Sequence, residues 1–287
     1  MAKKTTTTTK NEIELFHSWL AKEDPLSIAT HMYVDADAVF SAALLSVLKP
    51  KAQVVFVSAD SEIIDPRTLG VDLSKGEQTI KGLHMGSAFG LLVLGMKSID
   101  RPIYFALQKW ANQLNLTDSG KECRDAVVLA QLVKAWRSVG LGDKGCFMRA
   151  KELIEGKIQS EHSDIKQKKL AKEVQIKNGV AVISNGSKIR AAHVFERGAK
   201  VLIRESDVGH SIMISKEMIR KGINLNELAP LLEPKGWFVH QEGFLACYGS
   251  VKAPKNFSDS GFQFAQIESF ISTWLLSHVK SGSIKVQ

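Results

Sequence analysis

The sequence contains little cysteine and no long apolar run. Its three cysteines, Cys123, Cys146 and Cys247, are far apart and show no C-x-x-C spacing. This argues against a cysteine-based zinc site and a disulfide framework, and it favours buried free thiols in a reducing cytoplasm. The longest apolar runs, such as residues 88–96, are too short to span a bilayer. Residues 1–10 lack the apolar segment of a signal peptide, so we expect a cytoplasmic protein with no membrane contact.

Aromatic residues make up only 7% of the chain, and no aromatic-rich stacking motif is evident. This argues against sequence-specific recognition of single-stranded nucleic acid. The chain does have more basic than acidic residues, 38 Lys and Arg against 30 Asp and Glu, which gives a formal net charge of +8. A basic surface favours anionic partners such as nucleic acid or nucleotides, but the same charge can equally serve only to keep the protein soluble.

The first half of the chain shows the pattern of a parallel α/β domain. Residues 26–30 form a predicted buried strand, residues 38–48 an apolar helix, and residues 53–58 a second strand. A strand–helix–strand succession implies parallel strands joined by a right-handed crossover. We assign residues 11–145 to this domain. Residues 1–10, which contain five consecutive threonines, are expected to be a disordered tail.

The second half of the chain has a different pattern. A helical stretch rich in Lys and Glu leads out of the first domain, and we interpret residues 146–175 as a connecting helix. Residues 179–184 and 187–194 predict a β-hairpin whose type I′ turn is Asn185-Gly186. The remaining predicted elements are strands over residues 200–205, 211–215 and 236–247 and a helix over residues 262–279. Residues 176–287 are therefore predicted to form a smaller α+β domain.

His31, Asp35 and Asp37 follow the first predicted strand directly. In a parallel sheet, ligands bind beyond the carboxyl ends of the strands. Two carboxylates and an imidazole suit a hard or borderline divalent cation, and the carboxylates would repel one another without one. The alternative is that Asp35 or Asp37 only caps the helix that begins near Ala38. The spacing alone leaves both interpretations open.

The stretch His31-Met-Tyr-Val-Asp35-Ala-Asp37-Ala38-Val-Phe-Ser41 resembles the first motif of the DHH superfamily of phosphoesterases. That motif is His, three residues, Asp, any residue, Asp, Ala, two residues and Ser, in a strand-to-helix context. The resemblance implies an α/β fold, with a parallel-sheet N-terminal domain and a smaller α+β C-terminal domain across a cleft. It also implies manganese as the cofactor, with two ions expected and magnesium as the alternative ion.

The later motifs of the family are located by the same resemblance. The acid of the second motif is assigned to Asp72, with Asp60 as the rival, and the third motif, Asp-His-His, is reduced to His84. Asp118, in Asn115-Leu-Thr-Asp118-Ser-Gly, resembles the fourth motif of the Myg-type branch, which comprises metal-dependent hydrolases and exonucleases. The resemblance therefore implies one shared set of metal-binding and catalytic residues: His31, Asp35, Asp37, Asp72, His84 and Asp118.

The C-terminal signature of the same branch resembles Gly236-Trp-Phe-Val-His240-Gln-Glu-Gly243-Phe-Leu. This implies that His240 and Gly243 contact the substrate, although a histidine in this place can also be a half-buried strand residue. Basic side chains of the predicted second domain are candidates for holding phosphates. They are Lys188, Arg190, Arg197 and Arg204. The alternative is that these charges form a solvated surface.

The resemblance implies hydrolysis of phosphodiester bonds in nucleic acid, oligonucleotides or nucleotides by a water activated between two metal ions. Three alternatives remain open: a degenerate relative that binds nucleotide or nucleic acid without cleavage, a regulatory or scaffolding protein, and a phosphatase for small metabolites. The reduced third motif is the main support for the first alternative. A homodimer is compatible with the sequence, which does not specify the oligomeric state.

Overall fold

The computed structural model describes residues 2–125, 127–184, 188–260 and 262–282 of the chain. Its residues divide into two compact units, which comprise residues 1–162 and residues 163–287. Within the described ranges, no helix is both long enough and apolar enough to cross a membrane.

The first unit contains a four-stranded parallel sheet in the order β2-β1-β3-β4. The strands are β1 (Ser27–His31), β2 (Gln53–Val57), β3 (Thr68–Val71) and β4 (Thr79–Ile80). All three pairings are parallel, and Ser27 and His31 of β1 pair with Gln53 and Val57 of β2. The parallel α/β architecture that the sequence predicted is confirmed. Its consequence is that the carboxyl ends of β1 and β3 lie side by side at one edge of the sheet.

The helices of the first unit are α1 (Ala2–Leu20), α2 (Ala36–Leu48), α3 (Ala88–Ile99), α4 (Arg101–Asp118) and α5 (Leu129–Ser138). Helix α6 (Asp143–Ala171) begins in the first unit and ends in the second. Residues 2–10, for which the sequence predicted a disordered tail, belong to α1. Their threonines are weak helix formers, but the helix continues into residues 13–20, whose apolar side chains pack on the core.

Helix α2 lies at the centre of the first unit, and residues 36–46 are all buried. The ring of Phe40 lies 5.9–6.4 Å from the rings of Phe89, Trp110 and Trp136, measured between centroids. A helix that is apolar on every side has to be covered on every side, which explains why α2 packs against the sheet as well as other helices. The start of α2, which four residues separate from the end of β1, is therefore fixed firmly in the fold.

The second unit contains a six-stranded sheet in the order β5-β6-β7-β8-β10-β9. Its strands are β5 (Ile176–Lys177), β6 (Val180–Ile183), β7 (Val201–Ser206), β8 (Gly209–Ile214), β9 (Phe238–Val239) and β10 (Leu245–Gly249). The helices are α7 (Ala191–Phe195), α8 (Lys216–Arg220), α9 (Ala229–Leu232) and α10 (Phe264–Lys280). Only the β6–β7 pairing is parallel among the described strands of this sheet. The unit is an α+β structure, as the sequence predicted.

The predicted hairpin over residues 179–194 is wrong in its second arm. Its turn, Asn185-Gly186, lies outside the described residues, but the region predicted as the second strand contains helix α7, and β6 pairs in parallel with β7 instead. A hairpin does occur one element earlier, where Asn178-Gly179 joins β5 to β6. Both turn residues have positive φ, 49° and 79°, as a type I′ turn requires.

Candidate metal centre

Three potential metal ligands converge at the carboxyl edge of the parallel sheet. His31 is the last residue of β1, Asp72 follows β3, and Asp35 precedes α2. The Nε2 atom of His31 lies 3.3 Å from Oδ2 of Asp72 and 3.9 Å from Oδ2 of Asp35. One ligand atom from each residue lies within 4.8 Å of the other two. The fold thus brings together side chains that are far apart in the sequence.

Asp72, rather than Asp60, is the carboxylate that joins this cluster from the end of β3. Its backbone is left-handed, with φ of 53°, and its N–H donates to the carbonyl of Ile80 at 3.0 Å. Aspartate tolerates this conformation better than most residues. Asp60 is exposed, and it accepts a hydrogen bond from Ser58 Oγ and pairs with Lys75 at 3.9 Å.

The geometry of Asp35 is compatible with both interpretations that the sequence left open, a helix cap and a metal ligand. Its Oδ1 atom accepts a hydrogen bond from the N–H of Ala38 at 3.0 Å, which caps α2. Its Oδ2 atom faces His31. The side chain is 58% exposed, so one oxygen fixes the carboxylate while the other can reach an ion from solvent.

Asp37 is 2% exposed, and both of its carboxylate oxygens accept hydrogen bonds. The N–H groups of Ala88 and Phe89, in the first turn of α3, donate at 2.7 and 2.8 Å, and Ser41 Oγ lies 3.4 Å away. A carboxylate at a helix N-terminus satisfies donors that have no partner within the helix. Asp37 therefore ties α2 to the start of α3, in addition to lying near the cluster.

Asp118 and His84 differ in their relation to the cluster. Desolvation by neighbouring atoms and the negative charges of Asp72 and Asp35 raise the pKa of Asp118, at the end of α4, to about 6. This places Asp118 within the electrostatic field of the site. His84 is exposed in the loop before α3, and among the described residues it is not a member of the metal-capable cluster.

The cluster is electrostatically unfavourable by itself. The hydrogen bond to Asp72 raises the pKa of His31 to about 9, although burial acts to lower it. The hydrogen bond to the Met32 carbonyl and the charge of Asp35 also raise this pKa. Desolvation by neighbouring atoms, followed by the charge of Asp72, raises the pKa of Asp35 and raises that of the buried Asp37 well above its usual range. A bound divalent cation would offset the mutual repulsion of these carboxylates.

The donor set fits a divalent cation. Two carboxylate oxygens and an imidazole nitrogen suit a hard or borderline divalent cation. The Nδ1 atom of His31 lies 2.9 Å from the Met32 carbonyl, which leaves Nε2 directed at the carboxylates. A metal-binding histidine is usually oriented by such a hydrogen bond from its other ring nitrogen.

A support for the site that sequence reasoning missed is the pair formed by Arg137 and Asp143. Asp143 accepts hydrogen bonds from the N–H groups of Tyr33 and Val34 at 2.9 and 3.0 Å. Arg137 donates to the Val34 carbonyl at 2.9 and 3.1 Å and to Asp143 at 2.5 Å. We call residues 32–34 the β1–α2 loop. This pair fixes the loop between His31 and Asp35, and no local sequence pattern reveals it.

The two predicted substrate contacts near the C-terminus lie in the loop after β9. His240 Nδ1 accepts from the N–H of Glu242 at 3.1 Å, and the Gly243 N–H donates to the His240 carbonyl at 2.6 Å. Gly243 has φ of 65°, and a Cβ atom there would lie 2.6 Å from Cβ of Asn224. Glycine is therefore required by the turn itself, independently of any substrate.

The four predicted phosphate-binding residues have different surroundings. Arg197 donates to the carbonyl of Ala171, the last residue of α6, and to that of Val174 just beyond it, and Arg204 donates to the carbonyl of Ile189. Arg190 pairs with Asp164 at 2.6 Å, whereas Lys188 is exposed. The guanidinium groups of Arg197 and Arg204 thus hold the chain together, because they bind carbonyl groups of loops and helix ends.

Neither a family model nor a curated protein matches the sequence. Solved structures do match. RecJ from Thermus thermophilus in complex with Mg²⁺ is 11% identical, with a TM-score of 0.33 over 94% of this chain and 52% of RecJ. An exopolyphosphatase-related protein from Bacteroides fragilis is 13% identical, with a TM-score of 0.26 over 93% of this chain and 98% of that protein.

A further match is the DHH domain of a protein assigned to a family of ribosomal proteins, 11% identical, with a TM-score of 0.29 over 94% of this chain and 92% of that domain. The chain spans about half the length of the two RecJ structures from Thermus thermophilus.

Proposed function

We propose that the chain is a DHH-type, divalent-metal-dependent phosphoesterase that hydrolyses phosphodiester bonds in nucleic acid, oligonucleotides or nucleotides. The observation that carries the proposal is the convergence of His31, Asp35 and Asp72 at the carboxyl edge of the sheet. His31 and Asp35 lie in the stretch that resembles the first DHH motif, and Asp72 was assigned to the second motif. Their meeting in space supports that assignment, because nothing in the local sequence requires it.

The cation is proposed to be held by His31, Asp35 and Asp72. Asp118 and the buried Asp37, whose pKa values the charge of Asp72 raises, are the proposed carboxylates for a second ion. Manganese is the ion that the motif favours, and magnesium is the alternative. When bound, such ions supply Lewis-acid polarisation of a phosphate and acidification of a water nucleophile.

The protein's own residues position these ligands. Asp35 is held by the helix cap, His31 by the Met32 carbonyl, and the loop between them by Arg137 and Asp143. Ligands that are fixed before the substrate arrives lose less entropy when they bind it. The second unit is proposed to bind the substrate, with His240 and Gly243 as the residues assigned to that role.

The decisive experiment replaces single carboxylates without disturbing their backbone roles. Asp35→Asn keeps the helix cap, and Asp72→Asn suits the left-handed backbone, since asparagine serves well in both places. We expect each variant to lose at least about 100-fold in Mn²⁺-dependent hydrolysis of a chromogenic phosphodiester. Asp60→Asn, an exposed aspartate outside the cluster, is the matched control and should hydrolyse like the wild type. Undiminished hydrolysis in purified Asp35→Asn and Asp72→Asn would rule the proposal out.

A second candidate function is nucleotide or nucleic-acid binding without cleavage. Two observations favour it: His84 is exposed outside the described cluster, and both oxygens of Asp37 already accept hydrogen bonds. Among the described residues, the ligands of one ion converge in space, whereas a complete second set of ligands does not. Saturable nucleotide binding without turnover in Mn²⁺, Mg²⁺, Co²⁺ or Zn²⁺ would favour this function over hydrolysis.

A further inference from the structure

Tyr33 presents a large aromatic ring to solvent beside the candidate metal centre. The residue is 78% exposed, and it lies in the β1–α2 loop, two residues from both His31 and Asp35. Two residues span at most about 7 Å of chain, so the ring is attached close to any phosphate held at the centre.

The backbone of Tyr33 is held in a conformation that tyrosine rarely adopts. Its φ is 58°, in the left-handed region that disfavours residues with a Cβ atom. The loop is held in this conformation by Asp143, which binds the N–H groups of Tyr33 and Val34. The Tyr33 side chain is therefore held in solvent by a locally strained backbone.

The ring itself is fixed from one side. The guanidinium carbon of Arg137 lies 4.1 Å from the ring centroid, and Arg137 is in turn bonded to Val34 and Asp143. A cation over one face of the ring stabilises it by electrostatic attraction. The exposed remainder of the ring forms a flat apolar surface that is already oriented before any ligand arrives.

We propose that Tyr33 stacks on the nucleobase adjacent to the phosphate held at the metal centre. This inference rests on the proposed function and narrows its substrate class to molecules that carry a base. Stacking on an aromatic ring tolerates every base, because each has a π-face, which agrees with the absence of an aromatic-rich recognition motif. Inorganic polyphosphate and sugar phosphates offer no such face and gain nothing from Tyr33.

The test compares adenosine 5′-monophosphate with ribose 5-phosphate, which has the same phosphate and sugar but no base. Binding to the full chain is measured by calorimetry, with and without Mn²⁺. We expect the wild type to bind the nucleotide about tenfold or more tightly, given the usual contribution of one stacked base. Tyr33→Leu should reduce this preference to within about twofold, and Tyr33→Phe should keep it.

The matched control is Phe105→Leu. Phe105 is also an exposed aromatic residue of the first unit, at 52%, with the guanidinium of Arg101 5.8 Å from its ring, but it lies at the opposite end of α4 from Asp118. This variant should keep the preference for the base. Mn²⁺ binding, measured in parallel, should be equal in the wild type and in all three variants.

Four results would overturn the inference: no preference for the base in the wild type, an unchanged preference in Tyr33→Leu, a preference lost equally in Phe105→Leu, or weakened Mn²⁺ binding in Tyr33→Leu. Hydrolysis is assayed separately, so that the two proposals can fail independently. A Tyr33-dependent base preference without hydrolysis in any divalent cation would contradict the proposed function alone. Hydrolysis without a base preference would contradict the stacking role alone.

Discussion

At the scale of single residues, Asp35 and Asp37 show how two neighbouring carboxylates acquire different tasks. Asp35 is 58% exposed and Asp37 only 2%. One oxygen of Asp35 remains directed at His31, whereas both oxygens of Asp37 accept hydrogen bonds from α3. The difference arises because Asp35 precedes α2 and faces the open edge of the sheet, whereas Asp37 lies in the first turn and faces a neighbouring helix.

Replacement of Asp37 is expected to cost folding stability. Asp37→Ala leaves the N–H groups of Ala88 and Phe89 buried without their acceptor, which should lower the free energy of unfolding by about 1–3 kcal/mol in metal-free protein. Asp35→Asn keeps its cap and should change it by less than about 0.5 kcal/mol. Denaturant unfolding of both variants checks this. Equal losses in the two variants would contradict the assigned roles.

His31 is expected to make the stability of the metal-free protein depend on pH. Its pKa is raised from 6.5 to about 9, first by the hydrogen bond to Asp72, so the folded state holds the proton more tightly than the unfolded state. The resulting stabilisation is fully present below pH 6.5 and is lost as the pH rises through about 9. Denaturant unfolding of chelator-treated protein across this interval should show the decline.

His31→Gln provides the control for this pH dependence. The glutamine side chain does not titrate, so the contribution of His31 should be absent from the variant, and its stability should fall less than that of the wild type between pH 6.5 and about 9. Identical pH profiles for the two proteins would show that His31 does not carry the raised pKa.

At the scale of elements, the β1–α2 loop is held by a helix that begins more than a hundred residues later. Asp143, the first residue of α6, binds the N–H groups of Tyr33 and Val34 across 110 and 109 positions. Burial raises the pKa of Asp143, but the donors from Tyr33, Arg137 and Val34 hold it below its usual value. The carboxylate is therefore charged at neutral pH, and its hydrogen bonds are of the stronger, charge-assisted kind.

Loss of this support is expected to weaken metal binding. Asp143→Ala frees the loop between His31 and Asp35 and should lower Mn²⁺ affinity about tenfold, as removal of groups that orient ligands typically does. Glu152→Ala removes another carboxylate of α6, one that pairs with Arg149 on the surface, and should leave the affinity unchanged. Calorimetric titration with Mn²⁺ compares the two. Equal affinities would show that the loop is fixed by other contacts.

The part of this site that could be predicted from the sequence is the part that depends on local pattern. His31 and Asp35 follow a strand whose apolar pattern is visible, so their positions at a strand end were predictable. Asp72 was assigned by resemblance, with Asp60 as the rival. Arg137 and Asp143 were not predictable, because nothing near them in sequence indicates that they reach the β1–α2 loop. His84 was assigned by resemblance alone, and the structure leaves it exposed outside the described cluster.

The second unit shows the same limit for strands and turns. Asn178-Gly179 and Asn185-Gly186 are identical dipeptides in the sequence, and the sequence favoured the second, which lies outside the described residues, as the hairpin turn. The first is the turn observed, between β5 and β6. The described residues after β6 do not return as an antiparallel strand, because β6 pairs in parallel with β7. This pairing is a tertiary contact across an intervening helix, and no local propensity encodes it.

At the scale of the whole molecule, every ligand of the candidate metal centre belongs to the first of the two units. Added Mn²⁺ at about 100 times its Kd should stabilise the unit that binds it by about 2.7 kcal/mol. Hydrogen exchange followed by mass spectrometry should therefore slow at residues 27–38 and 68–73. Strands β7 and β8 provide the internal control and should exchange as before. Slower exchange confined to the second unit would place the ion elsewhere.

The hydrogen bonds between Asp37 and α3 bear on how this sequence can change over generations. Natural selection for folding alone would keep Asp37, whether or not any phosphate is cleaved, because its loss leaves two buried donors without an acceptor. His31 and Asp72 pair with each other at 3.3 Å, so both can be lost together without leaving the N–H groups of α3 bare. A lineage that abandoned catalysis would therefore be free to vary at those two positions while retaining Asp37. Variation at His31 and Asp72 among descendants, rather than the presence of the aspartate, would record whether the chemistry survives.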